Sequence, residues 1–481
     1  MALFKAFLKA LLVVLAGMVI PAAFAPAADT RDPFETDRYV PAAPGMRWQS
    51  PFELPQVPAA PVAAPPSTDR PLSLPELTEF ALQHNPKSRQ AWFAARAAAA
   101  AIGIERSDDL PQISALISAQ RSETGGQTGS QNPWLPRYGP SVTLSYLLFD
   151  FGVGDSRVKA AEYQALAAAL AQNRVLQDVV FQVEQAYYRL LGTEQLVRAN
   201  ELFLKSVRTS LDATQRRREG GLATVADVYR AETQVAQGQL NLTRSRGELE
   251  KARGALASAV GLPVHATLNV MTIESAPPIR EITESLTVIL DRAKTSRADL
   301  VAAEAQARSA RALADAAAKS TLPSITVSAT TGRTFYNGVR PFTDTNSIQL
   351  NVNIPIFTGF NHTYTVRQAE ARAAQAEASR DVLYRQTELD VWQSYYDVQT
   401  AAGGVSTTEV QLRAAQQAAE ATLARYQAGF GSLLDLITAQ VEESNARVLR
   451  IQSYLDWFTA VARLNYSMGA SDKTTYSVQA R

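Results

Sequence analysis

Late in the chain, hydrophobic and polar positions alternate one by one: Ile348, Leu350, Val352, Ile354 and Ile356 are separated by Gln349, Asn351, Asn353 and Pro355. Successive side chains of a strand point to opposite faces, so a period of two predicts a strand with one apolar and one polar side. Ile113, Ala115, Ile117 and Ala119 alternate in the same way with Ser114, Leu116, Ser118 and Gln120, and Val142, Leu144, Tyr146 and Leu148 with Ser141, Thr143, Ser145 and Leu147. A weaker, threonine-rich run completes the set. The predicted strands cover about 111–121, 140–150, 322–332 and 347–357. Elsewhere the period changes. Residues 73–107 and 284–319 are alanine-rich with charges at helical spacing, and no proline interrupts Asp155 to Arg218. At ~1.5 Å per residue a single helix of that span would reach about 95 Å. Leu176, Val180, Val183, Tyr187 and Leu190 make one narrow apolar stripe, and Leu434, Ile437, Val441, Val448, Ile451, Leu455 and Phe458 another. Narrow stripes predict coiled-coil seams rather than a thick core.

The whole pattern occurs twice. Leu110-Pro111 returns as Leu322-Pro323 at an offset of 212. Phe149 then matches Phe357, Val158 matches Val366, Glu162 matches Glu370, Tyr187-Tyr188 matches Tyr395-Tyr396, Gly221 matches Gly429 and Asp227 matches Asp435, all at 208. A constant offset of this length implies duplication. The repeats are placed at 72–270 and 284–469, with a linker at 271–283 and a tail at 470–481. The change of offset puts a four-residue difference in the loops, where Gly125-Gly126, Gly129 and Asn337-Gly338 supply hairpin chemistry.

Composition narrows the setting. Lys5 and Lys9 precede the apolar run Ala10 to Ile20 and small residues up to Ala27, which predicts a signal peptide at 1–27. The alternative, an uncleaved anchor, is disfavoured because the run is short for ~30 Å of hydrocarbon. Residues 28–71 hold most of the N-terminal prolines, and ten of the 24 prolines fall between 31 and 71. They predict an extended polyproline-like arm, either a plain linker or a segment lying along the body through aromatics such as Trp48 and Phe52. Lys plus Arg number 47 against 46 Asp plus Glu, and losing Lys5 and Lys9 leaves a net charge of −1. Such a balance provides no field to gather nucleic acid. With no cysteine there is no disulfide framework, thiolate site, cysteine nucleophile or cysteine-linked lipid. His84, His265 and His362 stand alone, and neither a nucleophile elbow, a zinc motif nor a phosphate loop is present. No enzymatic activity, cofactor or metal is expected.

Strands about ten residues long match tilted strands crossing an outer membrane. Trp134, Tyr138, Phe335 and Tyr336 lie toward the loops and Phe149, Phe151, Phe357 and Phe360 at the other end, as two aromatic girdles would. The competing reading packs two hairpins on a soluble core. Four strands cannot close a barrel, and an open edge in lipid leaves backbone groups unsatisfied at several kcal/mol each. The chain is therefore expected to associate: two copies would supply about 8 strands and three about 12, of which the wider leaves an aqueous lumen. A tube of strands extended by long helices implies passage rather than chemistry; the rival is a periplasmic coiled-coil scaffold without a barrel.

The strand ends Leu147-Leu148-Phe149-Asp150-Phe151-Gly152 and Ile354-Pro355-Ile356-Phe357-Thr358-Gly359 carry a resemblance, as do two turns between helices, Gly220 to Val228 and Arg425 to Leu436. In order, spacing and duplication, residues 72 to about 469 resemble the TolC family of outer-membrane efflux and secretion channels. The resemblance implies a mostly α chain with a membrane β-barrel portion, whose homotrimer forms a 12-strand β-barrel and a periplasmic α-helical barrel in the cell outer membrane. It implies outer-membrane lipid, a periplasmic adaptor and an inner-membrane pump of the RND or ABC type as partners. The function implied is the exit duct of a tripartite efflux system for small molecules and drugs, with type I protein secretion as the alternative. Residue by residue, Gly221, Leu222, Gly429, Phe430 and Ser432 match adaptor-docking tips, and Asp227, Tyr426 and Asp435 match entrance-gate and selectivity positions. For the two aspartates, capping of the following helix is the alternative. The chain departs from the best-known member at Gly431, where that member has a tip arginine, and at Thr438, where it has a second ring aspartate.

Overall fold

A computed structural model describes residues 44, 46, 70–125, 131–271, 284–336 and 342–469. The predicted signal peptide, nearly all of the proline-rich arm, the two hairpin tips, the linker beyond Met271 and the tail at 470–481 lie outside the described residues. The chain divides into Met1–Pro61 and Val62–Arg481, and every element below belongs to the second unit.

In chain order the elements are α1 (Leu74–His84), α2 (Pro86–Ser107), β1 (Gln112–Gly125), β2 (Gln131–Phe149), α3 (Val153–Glu219) and α4 (Val225–Val260), then α5 (Leu286–Ser296), α6 (Ala298–Lys319), β3 (Ser324–Tyr336), β4 (Thr343–Asn353), α7 (Asn361–Gln427) and α8 (Leu433–Ser467). The same six elements thus occur twice. The short helices α1 and α5 have 11 residues each, α2 and α6 have 22, and the long α3 and α7 have 67. At ~1.5 Å per residue a 67-residue helix is about 100 Å long.

The four strands form one antiparallel sheet in the order β1-β2-β3-β4, so β1 and β4 are its edges. Pairing sorts the side chains by face. The row Ile113, Leu144, Ala329 and Ile348 crosses one side, and the neighbouring row Ser114, Thr143, Thr330 and Ser347 crosses the other. On the polar side the Thr143 and Thr330 hydroxyls meet at 3.2 Å. On the apolar side Ile117 and Ile348 are 79% and 83% exposed, an apolar row of the kind that marks a surface covered by membrane or by a partner.

The strands differ in extent from the alternation that announced them. β4 ends at Asn353 rather than near 357, opposite Ser324, because Pro355 has no N–H to donate and Pro323 likewise delays its partner. Toward the loops β1, β2 and β3 run longer than predicted. There the ladder continues through polar pairs that carry no alternation signal: Arg333 donates to Asp344 at 2.6 and 3.0 Å, and Thr331 to Asn346 at 2.7 Å.

Each hairpin passes into a long helix through a left-handed pair of residues. Phe151 and Gly152 have φ of 59° and 85°, and Gly359 and Phe360 have 62° and 64°. A left-handed phenylalanine costs roughly 1–2 kcal/mol. Ring packing offsets it, Phe151 against Phe149 with centroids 4.7 Å apart and Phe360 against Phe357 at 5.5 Å. Asp150 then accepts from the amides of Gly152 and Gly154 and starts α3.

The helices bury narrow seams, but along α8 the buried stripe is not the one the large residues suggested. Leu433, Leu436, Ala439, Ala446 and Ala460 are buried, whereas Leu434 is 57% exposed. The most buried line thus mixes leucines with alanines, and Ile437, Val441, Leu455 and Phe458 of the expected stripe pack half-buried beside it. In both repeats the turn between the two short helices caps the end of the returning helix. The Asn85 side chain donates to Ala259 O at 2.8 Å, and at the equivalent place Arg297 donates to Ser467 O at 3.4 Å. Arg297 is 2% exposed and also binds Asp299, at 3.0 Å from Nε, and Asp390 at 3.4 Å. Arg174 extends this network, lying 3.8 Å from Asp299 and 3.9 Å over the Tyr466 ring. Burial pushes the Asp299 carboxyl up, but hydrogen bonds and charge from Arg297, with help from Arg174, outweigh it and hold it below its ordinary value.

Arg297→Ala is expected to cost about 3 kcal/mol at neutral pH, because it strands two carboxylates in the helix junction. Since the folded Asp299 value is depressed, its stabilisation is present above the unfolded carboxylate pKa of ~3.9 and is lost as pH falls through the folded value. Thermal denaturation followed by circular dichroism should therefore show a gap in midpoint between wild type and variant at pH 7 that narrows below about pH 4; a gap independent of pH would contradict this account.

Candidate functional site

The end of the helical body away from the sheet carries the residues singled out at the two tips. The α3–α4 turn is closed by a paired hydrogen-bond motif: Leu222 N donates to Arg217 O at 2.7 Å and Gly221 N to Arg218 O at 2.9 Å. The α7–α8 turn repeats it, with Phe430 N donating to Arg425 O at 2.9 Å and Gly429 N to Tyr426 O at 3.1 Å. Such motifs need a left-handed residue, supplied by Gly221 (φ 74°) and Gly429 (φ 87°). They leave Leu222 and Phe430 standing out at 73% and 82% exposure.

The next residues start the returning helices. Thr224 caps α4, its hydroxyl accepting from Asp227 N at 3.2 Å, while the Asp227 carboxylate accepts from the Thr224 hydroxyl at 2.7 Å and the Thr224 amide at 3.0 Å. The Thr224 hydroxyl, then its amide, hold the Asp227 carboxyl below the ordinary aspartate range. Ser432 caps α8 by accepting from Asp435 N at 3.1 Å. The two aspartates thus differ despite their equivalent positions: Asp227 closes a reciprocal capping box, whereas Asp435 is exposed and its carboxylate makes no hydrogen bond or ion pair among the described residues.

Tyr426 is buried at 3% exposure between α3 and α7. Its hydroxyl lies 3.0 Å from Thr214 Oγ1, its carbonyl accepts from Arg217, and the Arg217 guanidinium sits 4.6 Å from its ring centroid. Ala231, Leu433 and Leu436 complete its apolar surroundings. Among the described residues no hydrogen bond joins Tyr426 to Asp227 or Asp435. A Cβ at Gly431 would come within 3.1 Å of Tyr426 N and 3.3 Å of Arg425 C, so the glycine lets the chain close tightly behind Tyr426.

Two turns along the same seam lies a polar contact that pattern reading did not find. Gln440 of α8 is 4% exposed and donates to Ser206 Oγ at 2.8 Å and Ser210 Oγ at 2.9 Å on α3. With Thr214, these serines form a hydroxyl row at four-residue spacing on a face of α3 that packs against its neighbours. That spacing was visible in the sequence, but small hydroxyl residues also suit exposed helix faces. Among the described residues no group of three His, Asp or Glu side chains could hold a metal ion.

Comparison with known proteins adds the family. The residue pattern of the outer membrane efflux protein family matches residues 77–262 and 289–470. Protein CyaE of Bordetella pertussis is 31% identical over 414 residues, which cover 84% of this chain and 86% of CyaE. Outer membrane protein TolC of Escherichia coli is 23% identical over 424 residues, 82% of this chain and 83% of TolC. Among solved structures, the outer membrane protein VceC of Vibrio cholerae superposes with a TM-score of 0.72 at 22% identity, covering 82% of this chain and 96% of VceC.

Proposed function

The chain belongs to the outer membrane efflux protein family, and from that premise we propose that it is the exit duct of a tripartite system, passively conducting small molecules, drugs among them, from a periplasmic adaptor and an inner-membrane pump of the RND or ABC type. The observation that carries this reading is a two-faced sheet with both edges unpaired, running directly into helices about 100 Å long. Its apolar face suits outer-membrane lipid and its polar face suits water. Edge β4 of one copy pairs with edge β1 of the next, and a homotrimer of such sheets closes about 12 strands around an open lumen.

The helices call for the same neighbour. In the second repeat α6 is packed on both α3 and α7, but in the first repeat α2 is packed on α3 with its other side open. That side shows Trp92, Phe93 and Ile104 at 44%, 53% and 68% exposure, and α7 shows Val382 at 70% and Trp392 at 50%. Within the chain, Ser309 of α6 donates to Ala160 O of α3 at 2.8 Å. At the repeat offsets the corresponding positions are Ala97 on α2 and Gln368 on α7, both exposed. In the homotrimer they meet across the boundary between copies.

At the tips, Gly221, Leu222, Gly429, Phe430 and Ser432 form the adaptor-docking surface: two glycine turns hold out a leucine and a phenylalanine that a partner must cover. At the entrance Tyr426 fastens α7 to α3, and the seam holds while that bond and the Gln440 contacts last. Asp227 acts by holding the α4 turn. Asp435 supplies a free carboxylate from each copy, a ring that favours cations.

In this cysteine-free chain, Ala97→Cys combined with Gln368→Cys is expected to give oxidised trimers that resist SDS, while either single variant runs as a monomer; absence of the cross-linked species would refute the proposed boundary. Purified protein in a planar bilayer should conduct with a preference for cations that Asp435→Ala reduces, and a non-conducting trimer would count against the open duct. Leu222→Asp with Phe430→Asp should leave trimers in the outer membrane and abolish export, read as intracellular accumulation of a fluorescent drug.

A further inference from the structure

The polar face of the sheet is almost free of charge. Ser114, Ser118, Thr143, Thr330, Ser347 and Asn351 are representative of it, and among the described side chains on that face there is no carboxylate. Among the described side chains its one charged group is Arg137, which the ladder places between Gln120 and Tyr336, in the half of the sheet nearer the hairpin turns.

Among the described residues no carboxylate pairs with Arg137. Its Nη2 donates to Gln120 Oε1 at 3.0 Å, so the partner that orients it is a neutral amide. The contrast lies on the opposite face, where Arg333 is neutralised by a two-point pairing with Asp344. A guanidinium carries a full positive charge and several N–H donors. The hydroxyl and amide wall beside it can donate or accept hydrogen bonds but fixes no charge of either sign.

We propose that Arg137 sets the charge preference of the outer mouth: repeated by three copies, it makes an anion-attracting ring at the exit that weakens, without reversing, the cation preference set by Asp435 at the tip. This rests on the reading of the chain as a trimeric duct with the polar face inward. The two ends then carry opposite signs, carboxylates of Asp435 at the tip and guanidiniums of Arg137 at the mouth. A cation drawn in at the tip meets no site that retains it along the sheet. An anionic or zwitterionic solute meets no repulsion there, and the exit ring holds it only weakly, because salt near ~0.1 M screens charges beyond about 10 Å.

The test uses the full-length trimer in a planar bilayer at ~0.1 M KCl, with tripolyphosphate or spermine added only to the side facing the hairpin loops. Tripolyphosphate is expected to reduce the current and spermine to have little effect. The tripolyphosphate effect should weaken about tenfold in Arg137→Gln and vanish near ~1 M KCl, and Arg137→Glu should invert the order so that spermine becomes the blocker. Asp435→Ala should leave the loop-side effect unchanged. Equal block by both probes, or block that survives in Arg137→Gln, would overturn the assignment of Arg137 and leave the duct standing. A trimer that carries no current would overturn the duct itself and this inference with it.

Discussion

The structure depends on a single unmet requirement, the backbone N–H and C=O groups along the outer edges of β1 and β4. In water those groups could bond to solvent, but a sheet whose outward face shows Ile117, Ile348 and Leu350 belongs in lipid, where no such partner exists. Each unsatisfied group there costs several kcal/mol, and a strand edge presents many of them. One chain cannot remove its own edges, because four strands are too few to curl shut. Closure by further copies follows, and the long helices leave the sheet at its strand ends. The left-handed pairs Phe151-Gly152 and Gly359-Phe360 sit at that junction, converting strand direction into helix direction within two residues.

Duplication supplies the parts, and divergence between the copies decides how they are used. Gln440 bonds to Ser206 and Ser210, while the residues at the corresponding positions, Glu232, Ala414 and Ala418, are exposed and cannot reproduce the contact. Tyr426 bonds to Thr214, and its counterpart is Arg218. The α3–α8 seam is thus held by buried hydrogen bonds that the repeat-equivalent positions on α7 and α4 cannot form. The same division appears at the short-helix turns, where Asn85 makes a neutral cap and Arg297 gathers two aspartates around the equivalent carbonyl.

Much of the architecture could be read directly from residue patterns. Alternation located three of the four strands because each has one wet and one apolar side, a threonine-rich run marked the fourth, and proline-free stripes located the long helices. The limits of the strands were harder to read. They are set by ladder partners, and Asp344 or Asn346 shows no apolar period to betray a strand. Tyr426 was singled out by position, but its burial against Thr214 and Arg217 depends on residues about 210 positions away. Gln440 was missed for a related reason. An amide within an amphipathic helix looks like a solvent-facing residue until a neighbouring helix covers it.

The sequence by itself determined the inventory: two copies of a hairpin with one lipid-compatible face, long helices with narrow seams, and two glycine turns that expose Leu222 and Phe430. These are local properties, set by period, composition and allowed backbone angles over a few residues. Tertiary structure decided which stripe is contact and which is surface, which of two equivalent aspartates is held in a cap and which is free, and which arginines are neutralised. Arg333 and Arg137 both sit in the loop-side half of a strand and look alike in the sequence; only the strand register sets one beside a carboxylate and the other beside an amide. Charge compensation is a matter of distances of about 3 Å, and those are fixed by pairing between segments far apart in the chain.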